Sequence, residues 1–478
     1  MCGIVGIIGD KPVSSLIYHS LFSIQHRGQS SAGKLTYDGN IHVYKDAGLV
    51  REVFDEDKKI NTPGNVGLGH TRYSTAGLDD LESLKKNAQP EYLVNPFLVA
   101  VHNGNIYNCK EIGEQTDRTP RTECDIQCLL LPIADRLYKK EITPEVIFDA
   151  CSETMDIAKG SYSAIFLADS GRNPYLFAMT DPYRIRPLVL GEKNGLYCLT
   201  SETRVFKKIG FEYVKDIPGG SVIVIDPEGN IYEKQIIEKT EKPCMFEFVY
   251  FAKPDSRIKK RSVHNTRLDL GKMLAKNYPV DADIVVPVPE SGRRYAVGYS
   301  RESGIPLDEG LMKDKDERSF IQQTQESRDQ VVEEGLAFIR SVLGGQKVIL
   351  VDDSMVRGTN MTKLVKGARD AGAEEVHVRI GCPPLIAPCY LGIDMRSKKE
   401  FIARDGNGEL REWDEIKNKI GADSLAYNAV GDLKKAIGFD CCRGCIDFPD
   451  GYPKKMQKDI KELYQKDTEG KRAYGIIE

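Results

Sequence analysis

The sequence opens MCGIVGIIGD, with a cysteine directly behind the initiator methionine. If Met1 is removed, Cys2 carries a thiol and a free α-amine on one carbon. An α-amine has a reference pKa of about 7.7–8.0 and can act as general base at neutral pH. The sulfur then needs no separate histidine to activate it. Small Gly3 leaves room for a substrate. By itself this start also fits a short first strand that buries a small residue. Three further stretches follow in order: QHRGQSSAG (25–33), GHTRYSTAG (69–77) and VHNGNIYN (101–108). Each joins polar groups to glycine, as needed where backbone must approach a ligand closely. Arg72 offers a planar fork for a carboxylate. The Asn103 side-chain amide and the Gly104 N–H suit an oxyanion hole beside the thiol. Singly each stretch is a well-made turn; as a set with Cys2 they suit a nucleophilic thiol served by an oxyanion hole and a carboxylate clamp.

A second group of residues suits a phosphate. In VILVDDSMVRGTN (348–360) a continuous apolar run ends in Asp352 and Asp353, and a Ser/Gly/Thr loop leads into an amphipathic segment. Successive backbone N–H groups in such a loop, with a helix N-terminus behind them, form an anion nest. The paired acids suit Mg²⁺ or vicinal ribose hydroxyls. Gly-Lys-Ser/Thr is absent, so this is not a Walker loop. A third group is Cys442-x-x-Cys445 within DCCRGC, a metal hook that is incomplete with two thiols.

These residues must be held by at least two domains, since 478 residues predict two to three. Up to about residue 240 the pattern is mostly β: SVIVIDPEGNIYEKQI reads as a hairpin, as does GSYSAIFLADSGRNPYLFAMTDP. Helices are expected from Pro12 to Gln25 and from Asp125 to Tyr138. From about residue 241, ADIVVPVP and KVILVDD read as strands buried on both faces of a parallel sheet. NMTKLVKGARDAGA is a helix ended by Gly372, and EEVHVRIG restarts a strand. A doubly wound α/β domain is therefore expected over 241–450, and an exposed helical tail over 451–478. The net charge of −4 gives no field for nucleic acid. No apolar run approaches the ~20 residues of a membrane span, and Asp10 and Lys11 interrupt any signal peptide. A cytoplasmic location is expected. Twelve cysteines are many for that compartment and call for metal, catalysis or burial. Cys128, on a helical face, is expected to be a buried small apolar residue, and Cys441 a bystander.

Residues 1 to about 240 resemble the class II, N-terminal-nucleophile glutamine amidotransferases. The resemblance implies an α+β fold, a four-layer αββα sandwich over 2–240. It also implies that Cys2 attacks the glutamine side-chain amide, that Arg72 holds the α-carboxylate, and that Asn103 and Gly104 stabilise the oxyanion. The family's Asp for the glutamine α-amine appears as Glu123 in Thr122-Glu123-Cys124-Asp125, with the two acids exchanged. In DPYRIRPL, Arg184 stands where the family commonly has glycine. Residues 348–360 resemble the 5-phosphoribosyl-1-pyrophosphate (PRPP) motif of type I phosphoribosyltransferases. With PCMFEFVYFAKPDS, VPVPESG and CPPLIAPCYLGIDM, the chain over roughly 1–450 resembles the amidophosphoribosyltransferase family.

That family makes 5-phosphoribosylamine from PRPP and glutamine, the first committed step of purine synthesis. The likeness assigns Asp352 and Asp353 to the ribose hydroxyls with Mg²⁺. It assigns Ser354, Arg357, Gly358 and Thr359 to the 5′-phosphate, and Glu290, Ser291 and Gly292 to the pyrophosphate. In the iron–sulfur branch, Cys244, Cys389, Cys442 and Cys445 match the ligands of a [4Fe–4S] cluster. Zinc is the alternative for four thiolates. The family also implies a homo-oligomer, commonly a tetramer, inhibited by purine nucleotides. Two stretches depart from it. The PRPP-covering loop reads KDKDERSFIQQ from Lys313 to beyond Phe320, and VVEEGLAF places Glu333 and Glu334 where a lysine is usual. Carboxylates there oppose an anionic substrate. Two other readings are therefore carried: a paralogue that aminates a different phosphosugar, and a non-catalytic nucleotide sensor.

Overall fold

The computed structural model describes residues 1–73, 80–116, 118–169, 171, 173–238, 240–313, 335–395 and 398–467. The first half holds two antiparallel sheets. The seven-stranded one runs in the order Glu212–Asp216, Val189–Lys193, Leu196–Thr200, Gly3–Ile8, Val66–Arg72, Ser31–Tyr37, Ile41–Ala47. The six-stranded one runs Ile231–Gln235, Ser221–Ile225, Tyr175–Thr180, Gly160–Asp169, Phe97–Ile106, Glu91–Val94. Both expected hairpins are present, one with Ile225 opposite Ile231.

The layering follows from two-residue alternation along each strand. Ile4 and Ile8 point inward against Val99, Val101, Ile165 and Leu167 of the facing sheet. Val5 and Ile7 point outward, under the helices Ser14–Ser23 and Arg204–Ile209. On the other sheet Phe166 and Ala168 pack outward against Gln127–Leu137 and Pro144–Ile157. Helix, sheet, sheet and helix stack as four layers, and strands covered on both faces explain the unbroken apolar run at the N-terminus.

The second half is built on a parallel sheet in the order Ile284–Pro287, Lys347–Asp352, Glu375–Ile380, Ser424–Tyr427. A further parallel bridge joins Val285 to Leu307, on the far side of the first strand. Numbered along the chain the order is therefore 2-1-3-4-5, a doubly wound sheet. Its switch point lies between Ile284–Pro287 and Lys347–Asp352, and ligands of such sheets bind at the carboxyl ends of the strands flanking that point. In the tail helix Gln457–Lys466, expected to be exposed, Ile460 is completely buried, and Asp459 lies 3.7 Å from Lys159 of the first sandwich.

Two expectations are corrected. A Cβ on Gly3 would come within 2.6 Å of Thr71 Oγ1 and 2.9 Å of Ile24, so this glycine serves strand packing and leaves no room for a substrate. Cys128 is buried, but its sulfur is bonded to that of Cys109 and it is not a plain apolar filler.

Candidate functional site

Cys2 sits at the mouth of the sandwich, just before the strand Gly3–Ile8, with 8% exposure. Its nitrogen donates to Asn103 Oδ1 at 3.0 Å, across from the other sheet. Arg27 Nε donates to the Cys2 carbonyl at 3.0 Å. The Asn103 side chain is fully buried, and its Nδ2 has no hydrogen-bond partner among the described residues. An unpaired buried donor beside a thiol is what a developing oxyanion needs. Gly104 follows on the same strand, where a Cβ would lie 1.9 Å from Ser161 O, so no side chain fits. Gly28 is equally forced: its Cβ would meet Thr71 O at 2.4 Å, which lets the Gln25–Arg27 turn press on the strand that ends in Arg72. Arg72 is buried there, opposite Ser31.

Met1 is itself buried, packed with Tyr183, Ile185 and Leu391, and its sulfur touches Arg186. Burial lowers its amine to about 5, assisted by Arg186 and Arg27 and opposed by Cys2. While Met1 remains, the Cys2 nitrogen is an amide and cannot take a proton.

The exchanged acids separate cleanly. Asp125 is tied into the scaffold: its Oδ2 accepts from Ile106 N at 3.0 Å and its Oδ1 lies 3.1 Å from His102 Nε2. Burial opposes the charged form of each. Their pairing wins, lowering the Asp125 carboxyl and raising the His102 imidazole. Glu123 is half-buried, held by its own N–H to Asn87 Oδ1 at 3.0 Å. His102, Cys124 and Asp125 bring three donor atoms within 4.8 Å of one another. Gln89 Nε2 donates to Cys124 Sγ at 3.2 Å, however, and burial with Asp125 pushes that thiol up to about 12. The set is spent on structure.

Arg184, the second departure, has φ +49°, a left-handed conformation that explains the glycine usual there. Its side chain is buried and paired with Asp216.

The candidate phosphate loop, 352–360, lies at the sheet's switch point. Asp353 N donates to Asp352 Oδ1 at 2.8 Å, and Ser354 Oγ to Asp353 Oδ2 at 2.6 Å. Gly358, at φ +79°, leads into the helix Thr359–Asp370. Gly292 is pressed on the same strand end, since a Cβ would meet Val351 O at 2.2 Å. Ser291 hydrogen-bonds the acidic pair. Both carboxyls are pushed up, first by burial, and that of Asp352 also by its neighbour's charge. Two crowded oxygen donors of this kind fit Mg²⁺. Two of the expected side chains are engaged in exposed ion pairs. Arg357 is exposed and pairs with Glu400 at 3.2 Å; Glu290 is exposed and pairs with Arg293 at 3.1 Å. The stretches 74–79 and 314–334, with Glu333 and Glu334, lie outside the described residues.

Cys244, Cys389, Cys442 and Cys445 come together in one buried cluster, with Cys244 and Cys442 bridged through their backbones. Burial raises Cys244 to about 11 and holds Cys442 and Cys445 well above the usual thiol range, with neighbouring thiols adding to it. Four buried thiols are a donor set that fits a thiolate-held metal, an iron–sulfur cluster or zinc.

The two halves meet at the catalytic end of the sandwich. Asn105 Nδ2 donates to Tyr390 O at 2.9 Å and Ser161 Oγ to Leu391 O at 2.8 Å. Tyr250 is half exposed, and its hydroxyl is pushed up to about 12 by desolvation, then by Asp353, Tyr73 and Asp352. Tyr73 O is 4.0 Å from Cys2 Sγ. The sequence reading passed over Tyr250, Arg27, Glu202 and Glu247. A single charge inside the apolar run MFEFVYFA was the available signal for Glu247.

Residues 70–208 match a glutamine amidotransferase domain family. The amidophosphoribosyltransferase of Methanothermobacter thermautotrophicus is 41% identical over 477 residues, covering 96% of each chain. A chloroplastic amidophosphoribosyltransferase of Arabidopsis thaliana is 38% identical over 96% of this chain and 80% of its own. Among solved structures, the glutamine PRPP amidotransferase of B. subtilis complexed with ADP and GMP superposes with a TM-score of 0.83 at 33% identity, over 95% of this chain and 97% of that one. The chain belongs to the amidophosphoribosyltransferase family.

Proposed function

We propose that this chain releases ammonia from glutamine at Cys2 and uses it to displace pyrophosphate from C1 of PRPP, giving 5-phosphoribosylamine, glutamate and pyrophosphate. Once Met1 is gone, the Cys2 α-amine takes the thiol proton and the sulfur attacks the amide carbon. Asn103 Nδ2 and the Gly104 N–H receive the oxyanion. The α-ammonium returns its proton to the leaving ammonia, and water, deprotonated by the same amine, cleaves the thioester. Arg72 holds the glutamine α-carboxylate. Glu123 takes the α-ammonium, its extra methylene making up for the missing Asp.

At the second site Asp352 and Asp353 hold the ribose hydroxyls. Ser354, Gly358 and Thr359 cradle the 5′-phosphate through loop N–H groups and hydroxyls, with Arg357 swinging in from Glu400. Glu290, Ser291 and Gly292 face the pyrophosphate. Mg²⁺ on the acidic pair supplies charge neutralisation for the leaving group. The four thiolates Cys244, Cys389, Cys442 and Cys445 hold a [4Fe–4S] cluster with a structural role, tying the C-terminal segment to both halves. The enzyme works in the cytoplasm as a homo-oligomer, a tetramer by family, under purine-nucleotide inhibition. No helix among the described residues is long and apolar enough to cross a membrane.

The observation that carries this reading is the Cys2 nitrogen on Asn103 Oδ1 at 3.0 Å, with the buried Asn103 Nδ2 left without a partner among the described residues. The test is pyrophosphate release from PRPP and Mg²⁺, anaerobically, with glutamine or with ammonia, alongside iron and acid-labile sulfide analysis. Release with both nitrogen sources is expected. Glutamate formation without pyrophosphate release would replace PRPP by another phosphosugar acceptor, and neither product would leave a nucleotide sensor.

A further inference from the structure

We propose that Glu247, supplied by the second domain, is a positioning residue for the Cys2 nucleophile of the first. The link runs through Arg27, which is completely buried. Its Nε donates to the Cys2 carbonyl at 3.0 Å. Its two terminal nitrogens grip Glu247 as a fork, Nη2 to Oε1 at 2.7 Å and Nη1 to Oε2 at 3.0 Å. Nη1 also reaches Glu202 Oε1 at 2.7 Å. Glu247 is itself completely buried.

Glu202 cannot stand in for it. Its Oε1 is shared between Arg27 and His26, and its Oε2 accepts from Lys253 N at 3.1 Å and Ser256 Oγ at 2.8 Å. Without Glu247 the Arg27 Nη2 would be left unpaired in a dry site, and the guanidinium would lose the contact that fixes its plane.

That plane matters because Cys2 is a terminal nucleophile. Asn103 holds its nitrogen and Arg27 its carbonyl. With both ends fixed, the residue retains only rotation of the thiol about its own Cα–Cβ bond. Release of the carbonyl lets amine and thiol turn together, out of line with the oxyanion donors.

Glu247 is rigid on its own side as well. It opens the π-helical turn Glu247–Phe251, an irregularity frequent at functional sites. Arg267 donates to Phe248 O at 2.7 Å and Ala252 O at 2.8 Å, and the Tyr295 hydroxyl to Val249 O at 3.0 Å. The helices Val263–Asn277 and Arg293–Ser303 thereby set where Glu247 stands. The glutaminase seat is complete only when the second domain is docked.

This inference rests on Cys2 being the glutaminase nucleophile, so the test includes Cys2→Ala. In the full chain, Glu247→Gln keeps the shape and removes the charge. Glutamine-dependent kcat is expected to fall about tenfold or more. KM for glutamine should stay within about twofold because Arg72 and Glu123 are untouched, and ammonia-dependent turnover should stay within about twofold. The rate at which a glutamine-analogue diazoketone inactivates Cys2 should fall in parallel with kcat. Unchanged glutamine turnover, or equal loss of both activities as for a mere domain strut, overturns the proposal. Should Glu247→Gln not fold, Arg27→Lys is read by the same split, since one ammonium cannot span the carbonyl and two carboxylates. Glutaminase activity surviving in Cys2→Ala overturns the nucleophile reading and this proposal together. Its loss there, with full activity in Glu247→Gln, overturns this proposal alone.

Discussion

Replacing Asn103 by alanine should separate function from stability more sharply than any other single change at the first site. The side chain has two tasks. Its Oδ1 accepts from the Cys2 nitrogen at 3.0 Å, and its Nδ2 is a buried donor with no partner among the described residues. Loss of one oxyanion-hole donor costs about 2.7–4 kcal/mol in the transition state, or 10²–10³ in kcat. Loss of the acceptor adds about 1 kcal/mol through poorer placement of the base. Glutamine-dependent kcat should therefore drop roughly 10³-fold while KM changes little, because the donor is used only after attack. Stability follows a different sum. The variant forfeits the bond to Cys2 and opens a small cavity, together about 2 kcal/mol, and it relieves a buried unpaired donor worth about 1–3 kcal/mol. The two nearly cancel, so the thermal midpoint should hardly move. The assay is steady-state glutamate release beside ammonia-dependent pyrophosphate release, with a melting curve for each protein. Glutamine turnover within tenfold of the parent would refute the oxyanion assignment. Matched loss of both activities and of the midpoint would reduce Asn103 to a scaffold residue.

Gly104→Ala puts a Cβ 1.9 Å from Ser161 O and must part the strands Phe97–Ile106 and Gly160–Asp169; a loss of about 1–3 kcal/mol in urea unfolding and of most glutaminase activity is expected. At the left-handed position 184, Arg184→Gly should be more stable than Arg184→Ala by about 1 kcal/mol, with both below the parent because Asp216 loses its partner; the reverse order in urea titration would contradict the strain argument. Glu202 gives a pH prediction. Burial alone would raise its carboxyl, but His26 and Arg27 hold it well below its ordinary 4.5. A depressed carboxylate contributes stability that is present above the unfolded value and is lost as pH falls through the folded one. The midpoint should therefore fall between about pH 5 and pH 3, and Glu202→Gln should flatten that slope while lowering stability at neutral pH.

The sequence made legible those features in which one residue type answers one local demand. Cys2, Arg72, Asn103 and Gly104 could be named because each carries its chemistry in its own side chain or in the lack of one. Asp352, Asp353 and Gly358 could be named as candidates because a strand–loop–helix anion nest is a local object. The hairpins and the two sheet types followed from periodicity. What stayed hidden depends on partners far along the chain. Arg27 stands in a quoted stretch, yet its role is set by Glu202 and Glu247, 175 and 220 residues away. Gly3 was misread because its tight neighbour is Thr71, on a strand that only the sheet order brings alongside. Cys128 was misread because Cys109 meets it across a loop that carries no periodic signal.

The departures from the family pattern become consistent once those distant partners are known. Exchanging Asp and Glu at 123 and 125 would be damaging if the two positions were equivalent, and they are not. Position 125 must reach Ile106 N and His102 at once, and the shorter Asp125 does so at 3.0 and 3.1 Å. Position 123 is only half-buried, so a longer side chain can extend from it toward a ligand. The exchange moves the scaffold contact and the ligand contact by one methylene in opposite directions and leaves their separation to be absorbed by the side chains. Arg184 follows the same logic. A non-glycine residue in a left-handed conformation costs about 1–2 kcal/mol, and a buried ion pair with Asp216 offsets it only while both partners remain. In each case the residue present has partners that fit it, which is why neither departure argues against glutamine as the substrate of the Cys2 site.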